Sequence, residues 1–302
     1  MSDTPSPRDI VADFIRLLTV ASQGEDSFTG PPQPGGMGRV FGGQVIAQAL
    51  QAAQATAPQG MNAHSLHAYF LRGGTEGLDT HYEVMRDLDG RSFANRRVTA
   101  RQEGATILTL TASFQRPEDG LEHLDAAMPD VPPPEDLIPD ADQRRAMVER
   151  AGDRLTEAQR ALALRPRPLE MRTVGKLHWM NREPSAPVAN SWFRAVAPLP
   201  DNPALHRAVI AYASDYTLLG TAALPHGFSW MRGELTGASL DHAIWFHHPA
   251  RADEWLLYST DSPWTGGGRG FNRGRIFDRS GKLIASVAQE GVMRRRKPKP
   301  TE

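Results

Sequence analysis

Not one of the 302 residues is cysteine. That excludes disulfides, thiolate metal sites and a cysteine nucleophile together. No stretch approaches the ~18 consecutive apolar residues that a membrane-spanning helix needs. The opening residues MSDTPSPRDI carry no apolar signal core, and the closing Pro300, Thr301 and Glu302 are not a peroxisomal Ser-Lys-Leu address. A soluble cytoplasmic chain is the expectation. Neither sign of charge is in excess: 34 Lys and Arg stand against 35 Asp and Glu. Overall charge therefore points to neither nucleic acid nor an anionic membrane surface. The one local basic run, 294–297, precedes prolines and reads as the start of a solvated tail.

Several catalytic motifs are missing too. There is no H-E-x-x-H. The stretch Gly237-Ala238-Ser239-Leu240-Asp241 lacks the closing Gly of a nucleophile elbow. TGGGRG at 265–270 lacks the Lys-Ser/Thr ending of a phosphate loop and reads as a hairpin. His242, His247 and His248 crowd one strand with no carboxylate at ligand spacing, and read as strand and hairpin residues. Neither a metal nor a cofactor is expected.

What is present is periodicity. Residues 1–8 read as disordered, and DIVADFIRLL (9–18) carries a helical apolar stripe. Gly and Pro break the chain before VFGGQ, after which 44–55 reads as helix. Four β-like runs follow: HSLHAYFL, LDTHYEVMRD, FANRRVTARQ and ATILTLTASFQ, with Asp89-Gly90 as a turn signal. Residues 117–140 are acidic and Pro-rich, a connection. DADQRRAMVERAGDRLTEAQRALAL then predicts one amphipathic helix with Met147, Ala151, Leu155, Ala158 and Leu162 on a stripe. PLEMRTV and SWFRAVAP open a second β-rich unit.

The second unit repeats the first. VIAYASDYTL, from Val209, matches VIAQALQAAQ, from Val45, at a separation of 164 residues (209 − 45). Its helix has Asn202 as N-cap and Pro203 at the first helical position. SLDHAIWFH echoes SLHAYFL, and two hairpins turn at Gly104 and Gly281, 177 apart (281 − 104). A helix followed by an antiparallel meander, written twice, implies an α+β double repeat in which two curved sheets join edge to edge and so hide strand edges. The expected division is 1–117, 118–166 and 167–302.

Three polar residues interrupt the pattern, each in the second copy. Asp215 stands where the first copy has Gln51. Its helical neighbours are Ala208, Ala211, Leu218 and Leu219, all apolar. A carboxylate there needs a hydrogen bond or a hydrated cavity; spacing alone equally allows a solvent-facing side chain. Gln289 ends the apolar face Leu283, Ala285, Val287, where the first copy has Ala112; it also reads as a strand-end residue. Ser239 opens a strand and by itself reads as a turn residue. Together the three form a hydrolytic set: an acid that takes a proton, with a hydroxyl and an amide able to hold water.

In chain order, VFGGQVIAQAL, HSLHAYFLRGG, DGRSFANRRV, TASFQRPEDGLEH, RPLEMR, YASDYTLL, LDHAIWFH, DEWLLY and QEGVMR resemble the acyl-CoA thioesterase II family over about residues 39–294. The resemblance implies a double hotdog fold, two repeats each with a long central helix wrapped by an antiparallel sheet. It implies hydrolysis of fatty acyl-CoA to fatty acid and CoA, and assembly as a homo-oligomer, dimer or tetramer. It also implies a catalytic set of Asp215, Ser239 (Thr or Ser in the family) and Gln289. Arg269, Arg273 and Arg294 are candidates for the CoA phosphates by charge. Two alternatives stay open. An enoyl-CoA hydratase or dehydratase commonly carries D-x-N-P-x-H, where this chain has SDYTLLG. A non-catalytic acyl-CoA binder would bind without releasing thiol.

Overall fold

The computed structural model describes residues 5–33, 38–177, 183–228 and 233–296. Lys297, the last of the basic run, lies outside them. Helix α1 (Pro7–Leu18) starts two residues earlier than its apolar stripe predicts. Ser6 and Asp9 form a capping box and Pro7 takes the first turn, so the segment expected to be disordered is partly helical.

The first repeat is built from α2 (Gly42–Thr56) and strands β3 (Asn62–Phe70), β4 (Thr80–Asp89), β5 (Phe93–Gln102) and β6 (Ala105–Gln115), with short β1 (Ala21–Ser22) and β2 (Ser27–Gly30) beyond β4. The second has β7 (Leu169–Thr173), β8 (Val188–Ala195), α5 (Pro203–Ser214), α6 (Leu218–Thr221), β9 (Leu235–Ser239), β10 (Asp241–Phe246), β11 (Leu256–Gly266), β12 (Arg269–Asp278) and β13 (Leu283–Arg295). Between them lie α3 (Asp140–Ala151) and α4 (Glu157–Leu164). The single amphipathic helix predicted there is two. Gly152, at φ +52°, ends the first, and the capping box of Thr156 with Gln159 starts the second.

The described strands join one antiparallel sheet in the order β1-β2-β4-β5-β6-β3-β10-β13-β12-β11-β8-β7, with β9 also on β13. The two repeats meet edge to edge where β3 pairs with β10, Leu66 opposite Ile244 and Ala68 opposite His242. Each repeat thereby covers the edge the other would leave open.

Helix α2 buries Val45, Ile46, Ala47, Ala49, Leu50, Ala52 and Ala53, and α5 buries Leu205, Ala208, Val209, Ile210, Ala211, Tyr212 and Ala213. A helix apolar on nearly every face has to be surrounded. Burying each Val, Leu or Ile side chain contributes roughly 1.5–3 kcal/mol. The two helices pack on each other inside the curved sheet. Their contact is close because residue 43 is glycine: a Cβ there would lie 2.5 Å from the Tyr212 carbonyl oxygen.

Candidate active site

The predicted second helix ends sooner than its sequence match. α5 stops at Ser214, and Asp215 is its C-cap with φ −89° and ψ −5°. In the first copy the run after Leu50 is Gln-Ala-Ala-Gln-Ala, good helix formers; in the second it is Asp-Tyr-Thr, poorer ones. Leu218 and Leu219 therefore do not continue the same helix, and α6 starts afresh at Leu218. The break turns Asp215 out of the helical pattern and toward the start of α2.

That start is open. Phe41 is the N-cap of α2 and supplies no side-chain cap, which leaves backbone N–H groups to be satisfied from elsewhere. The Gly43 N–H faces the Asp215 carboxylate and favours its ionised form. Residue 42 has to be small: a Cβ on Gly42 would lie 2.7 Å from Asp215 Oδ2 and 3.0 Å from the Phe70 ring. Phe41 is wedged against Tyr212 and Tyr216, with ring centroids 4.9 and 5.2 Å away, which fixes the first turn of α2 against the end of α5.

Asp215 Oδ1 takes two side-chain donors. Gln289 Nε2 donates at 2.6 Å and Ser239 Oγ at 3.3 Å. The structure thus brings Asp215, Ser239 and Gln289 together across 74 residues of chain. Burial is the main cause that pushes the Asp215 carboxyl up to about 6, and the bonds from Gln289 and Ser239, with the Gly43 N–H, oppose it. Ser239 is the last residue of β9, where the predicted single strand breaks: β9 and β10 both pair with β13, and Leu240 lies between them. The Leu240 carbonyl accepts the Phe70 N–H and its N–H donates to the Glu290 carbonyl, so the break is pinned from both sides.

Asp215 and Ser239 face a cleft of about 490 Å³ whose lining also includes Arg39, Gly42, Phe70, Arg72 and Leu219. Gln289 does not line it; its side chain is wholly buried behind Asp215. The three arginines singled out by charge lie elsewhere. Arg269 is paired with Glu290 and Arg273 with Asp261, and neither they nor Arg294 lines the cleft. Arg39 and Arg72 do, and charge counting alone had no way to choose them.

Sequence reasoning read His242 only as a strand residue. It is buried, it touches Gln289, and burial pulls its imidazole down to about 3. Its only sequence signal was an inward position by strand alternation, which any core residue shares.

With this geometry in place, comparison with known proteins is decisive. The profile described as Acyl-CoA thioesterase matches residues 158–292, and that described as Acyl-CoA thioesterase N-terminal domain matches 31–115. Human acyl-coenzyme A thioesterase 8 is 37% identical, over 92% of this chain and 88% of its own. The chain belongs to the acyl-CoA thioesterase family. Acyl-CoA thioesterase 2 of Haemophilus influenzae is 36% identical over 95% of this chain and 98% of its own. The crystal structure of acyl-CoA thioesterase II TesB2 from Mycobacterium marinum superposes with a TM-score of 0.75 at 38% identity, covering 93% of this chain and 98% of that one. The fold of this acyl-CoA thioesterase is the double hotdog that the resemblance implied.

Proposed function

We propose that this enzyme hydrolyses fatty acyl-CoA by direct attack of water on the thioester, with Asp215 as general base. The observation that carries this reading is a carboxylate held at the mouth of a cleft, against the open N-terminus of a helix, by two oriented donors. A carboxyl near 6 is ionised at neutral pH yet basic enough to take a proton from water. As the water oxygen bonds to the carbonyl carbon, its proton passes to Asp215. The carbon–sulfur bond then breaks, and CoA leaves as a thiolate whose reference pKa of about 8.5 spares it a strong acid. The proton on Asp215 goes to that thiolate or to solvent.

Ser239 faces the cleft and can hold the water beside Asp215. Gln289 has another part. Both hydrogens of its amide are committed inside the protein, so it aligns the carboxylate and does not hold the water. The first turn of α2, at Gly42, which lines the cleft, is the donor group best placed for the developing oxyanion. Arg39 and Arg72 are the cations suited to the CoA phosphates.

No described helix is long and apolar enough to cross a membrane. On this reading the enzyme works in the cytoplasm, and the exposed Tyr69, Leu71, Met85 and Phe93 suit assembly into a dimer or tetramer, which sedimentation checks.

A thiol-release assay over a series from acetyl- to palmitoyl-CoA tests the reaction. Release is expected, with kcat/KM falling about tenfold per pH unit below 6. Binding without release leaves a non-catalytic binder, and addition of water to crotonyl-CoA makes the chain a hydratase; either result ends this reading.

A further inference from the structure

Behind the cleft a chain of hydrogen bonds runs from Asp215 through three buried side chains, and an ionised Asp215 sets the direction of its donors. Gln289 Nε2 lies 2.6 Å from Asp215 Oδ1 and 3.1 Å from His242 Nδ1. His242 Nε2 lies 2.8 Å from Ser214 Oγ, and Ser214 Oγ donates to the Ala211 carbonyl at 2.8 Å. An ionised carboxylate only accepts, so the Gln289 amide nitrogen faces it. The second amide hydrogen then goes to His242 Nδ1, which must carry no proton. The imidazole proton is on Nε2 and goes to Ser214, whose own hydrogen is used on Ala211. Turning the amide over would set its oxygen against Asp215 Oδ1, and against His242 Nδ1 as well so long as Ser214, its hydrogen used on Ala211, keeps the imidazole proton on Nε2.

From this arrangement we infer that His242, fixed by Ser214 as the neutral Nε2–H tautomer, is a positioning residue of the reaction: it selects the orientation of the Gln289 amide that points an N–H at Asp215. The inference rests on the reading of Asp215 as the base.

The fold itself does not require this chain. Leu50 precedes Ser214 by the 164 residues that separate Val45 from Val209 (214 − 50), and Ala112 precedes Gln289 by the 177 that separate Gly104 from Gly281 (289 − 112). Leu66, paired with Ala112 across β3 and β6, takes the place of His242. The first repeat thus fills the same three positions with Leu50, Leu66 and Ala112, all in the core. A polar chain that the sister repeat replaces with hydrocarbon is there for something other than packing.

The groups facing Asp215 from the surrounding elements are Gly43 of α2, Ser239 of β9, Gln289 of β13, Tyr258 of β11, and Arg39 and Arg72 at the cleft wall. Tyr258 donates to the Ser214 carbonyl and stays neutral. Of these, the groups that lower the Asp215 carboxyl are the three hydrogen-bond donors, Gln289 first.

Two isosteres separate acceptor from donor at residue 242. In His242→Asn the side-chain oxygen falls where Nδ1 is and keeps the bond from Gln289. In His242→Gln the amide nitrogen falls where Nε2 is and keeps the bond to Ser214 but offers Gln289 no acceptor. We expect His242→Gln to lower kcat about tenfold with KM little changed, and to raise the acid limb of the pH–rate profile by about one unit as Asp215 loses a donor. His242→Asn should stay within about threefold of wild type with the limb unmoved. Equal behaviour of the two variants, or an unmoved limb in both, overturns the inference.

Two readouts need no turnover. The Asp215 carboxyl can be titrated by ¹³C NMR in both variants, so the inference is testable even if wild type releases no thiol, and wild-type failure of that assay counts against the base reading instead. Should either variant not fold, ¹⁵N spectra of wild-type His242 decide: an unprotonated Nδ1 throughout pH 6–8 upholds the inference, and a proton on Nδ1 sinks it.

Discussion

Helices α2 and α5 occupy matching places in the two repeats, yet their ends are finished in opposite ways. α5 closes its own beginning: the Asn202 side chain accepts from the Ala204 and Leu205 N–H groups, and Pro203 removes a donor. α2 leaves its beginning open to a carboxylate from the other repeat. The far ends differ as well. α2 runs on to Thr56, where buried Arg96 donates to the Thr56 hydroxyl and carbonyl and pairs with Asp89. In register, Arg96 faces Ala112 as Asn272 faces Gln289. That place holds no arginine in the second copy, and α5 ends six residues earlier by the repeat's alignment (56 − 50). The lesson is a division of labour: one copy spends its buried polar groups on finishing a helix, and the other directs them to a cleft.

Removing the carboxylate breaks this comparison most completely. Asp215→Asn is expected to lower kcat at least about 10³-fold, read by thiol release, with the fold intact by circular dichroism. The same variant should be the more stable protein at pH 8. A carboxyl raised from 3.8 to about 6 on folding opposes the folded state above pH 6, an effect on the order of 1–3 kcal/mol. That gain should vanish below pH 4, where wild-type Asp215 is protonated both folded and unfolded. Thermal melts at the two pH values check it.

Arg96→Met attacks the other copy. It leaves the Thr56 hydroxyl and carbonyl without their buried donor, while Asp89 is half exposed and can be hydrated, and is expected to cost about 1–3 kcal/mol in urea unfolding. The folded fraction should keep wild-type kcat, since Arg96 touches nothing in the cleft. Gly42→Ala sharpens the contact between the copies. Alanine suits the first turn of a helix, but its methyl displaces Asp215 Oδ2 and presses on the Phe70 ring, so Tm should fall modestly and kcat about 10–100-fold. Ser239→Ala is the mildest change. It removes the longer of the two side-chain bonds to Asp215 and should lower kcat about tenfold or less. Ser239→Thr should retain activity, its branched Cβ narrowing the choice of χ1.

Much of the fold was legible because periodicity is a local signal. The four strands of the first repeat and the start of α5 at Asn202 and Pro203 follow from alternation and capping chemistry read over a few residues. Even so, the division into two copies of a helix and a sheet rested on comparing segments, not on any one of them. Two errors came from reading a pattern past a stop signal. The stripe from Met147 to Leu162 crossed Gly152 and the Thr156 cap, and the match of α5 to α2 was carried beyond Ser214.

In the site, Asp215, Ser239 and Gln289 stood out as departures from apolar patterns. What each one does depends on groups far away in the chain. His242 meets Ser214 across 28 residues and Gln289 across 47, and alternation reports only that it points inward. Charge alone could not say which arginines border the cleft, and the carboxylate partners of Arg269 and Arg273 lie on neighbouring strands that only the register reveals.

The seam between β3 and β10 has a consequence for inheritance. The walls of the cleft come from both sides of it: Arg39, Gly42, Phe70 and Ile107 from one half, Asp215, Leu219 and Ser239 from the other. A gene cut anywhere between residues 118 and 166 would therefore make two polypeptides, one bearing the acid and one bearing the helix start it faces. With Asp215 as the proposed base, neither product alone would turn over substrate, and mixing them would restore turnover only to the extent that their sheet edges find each other again.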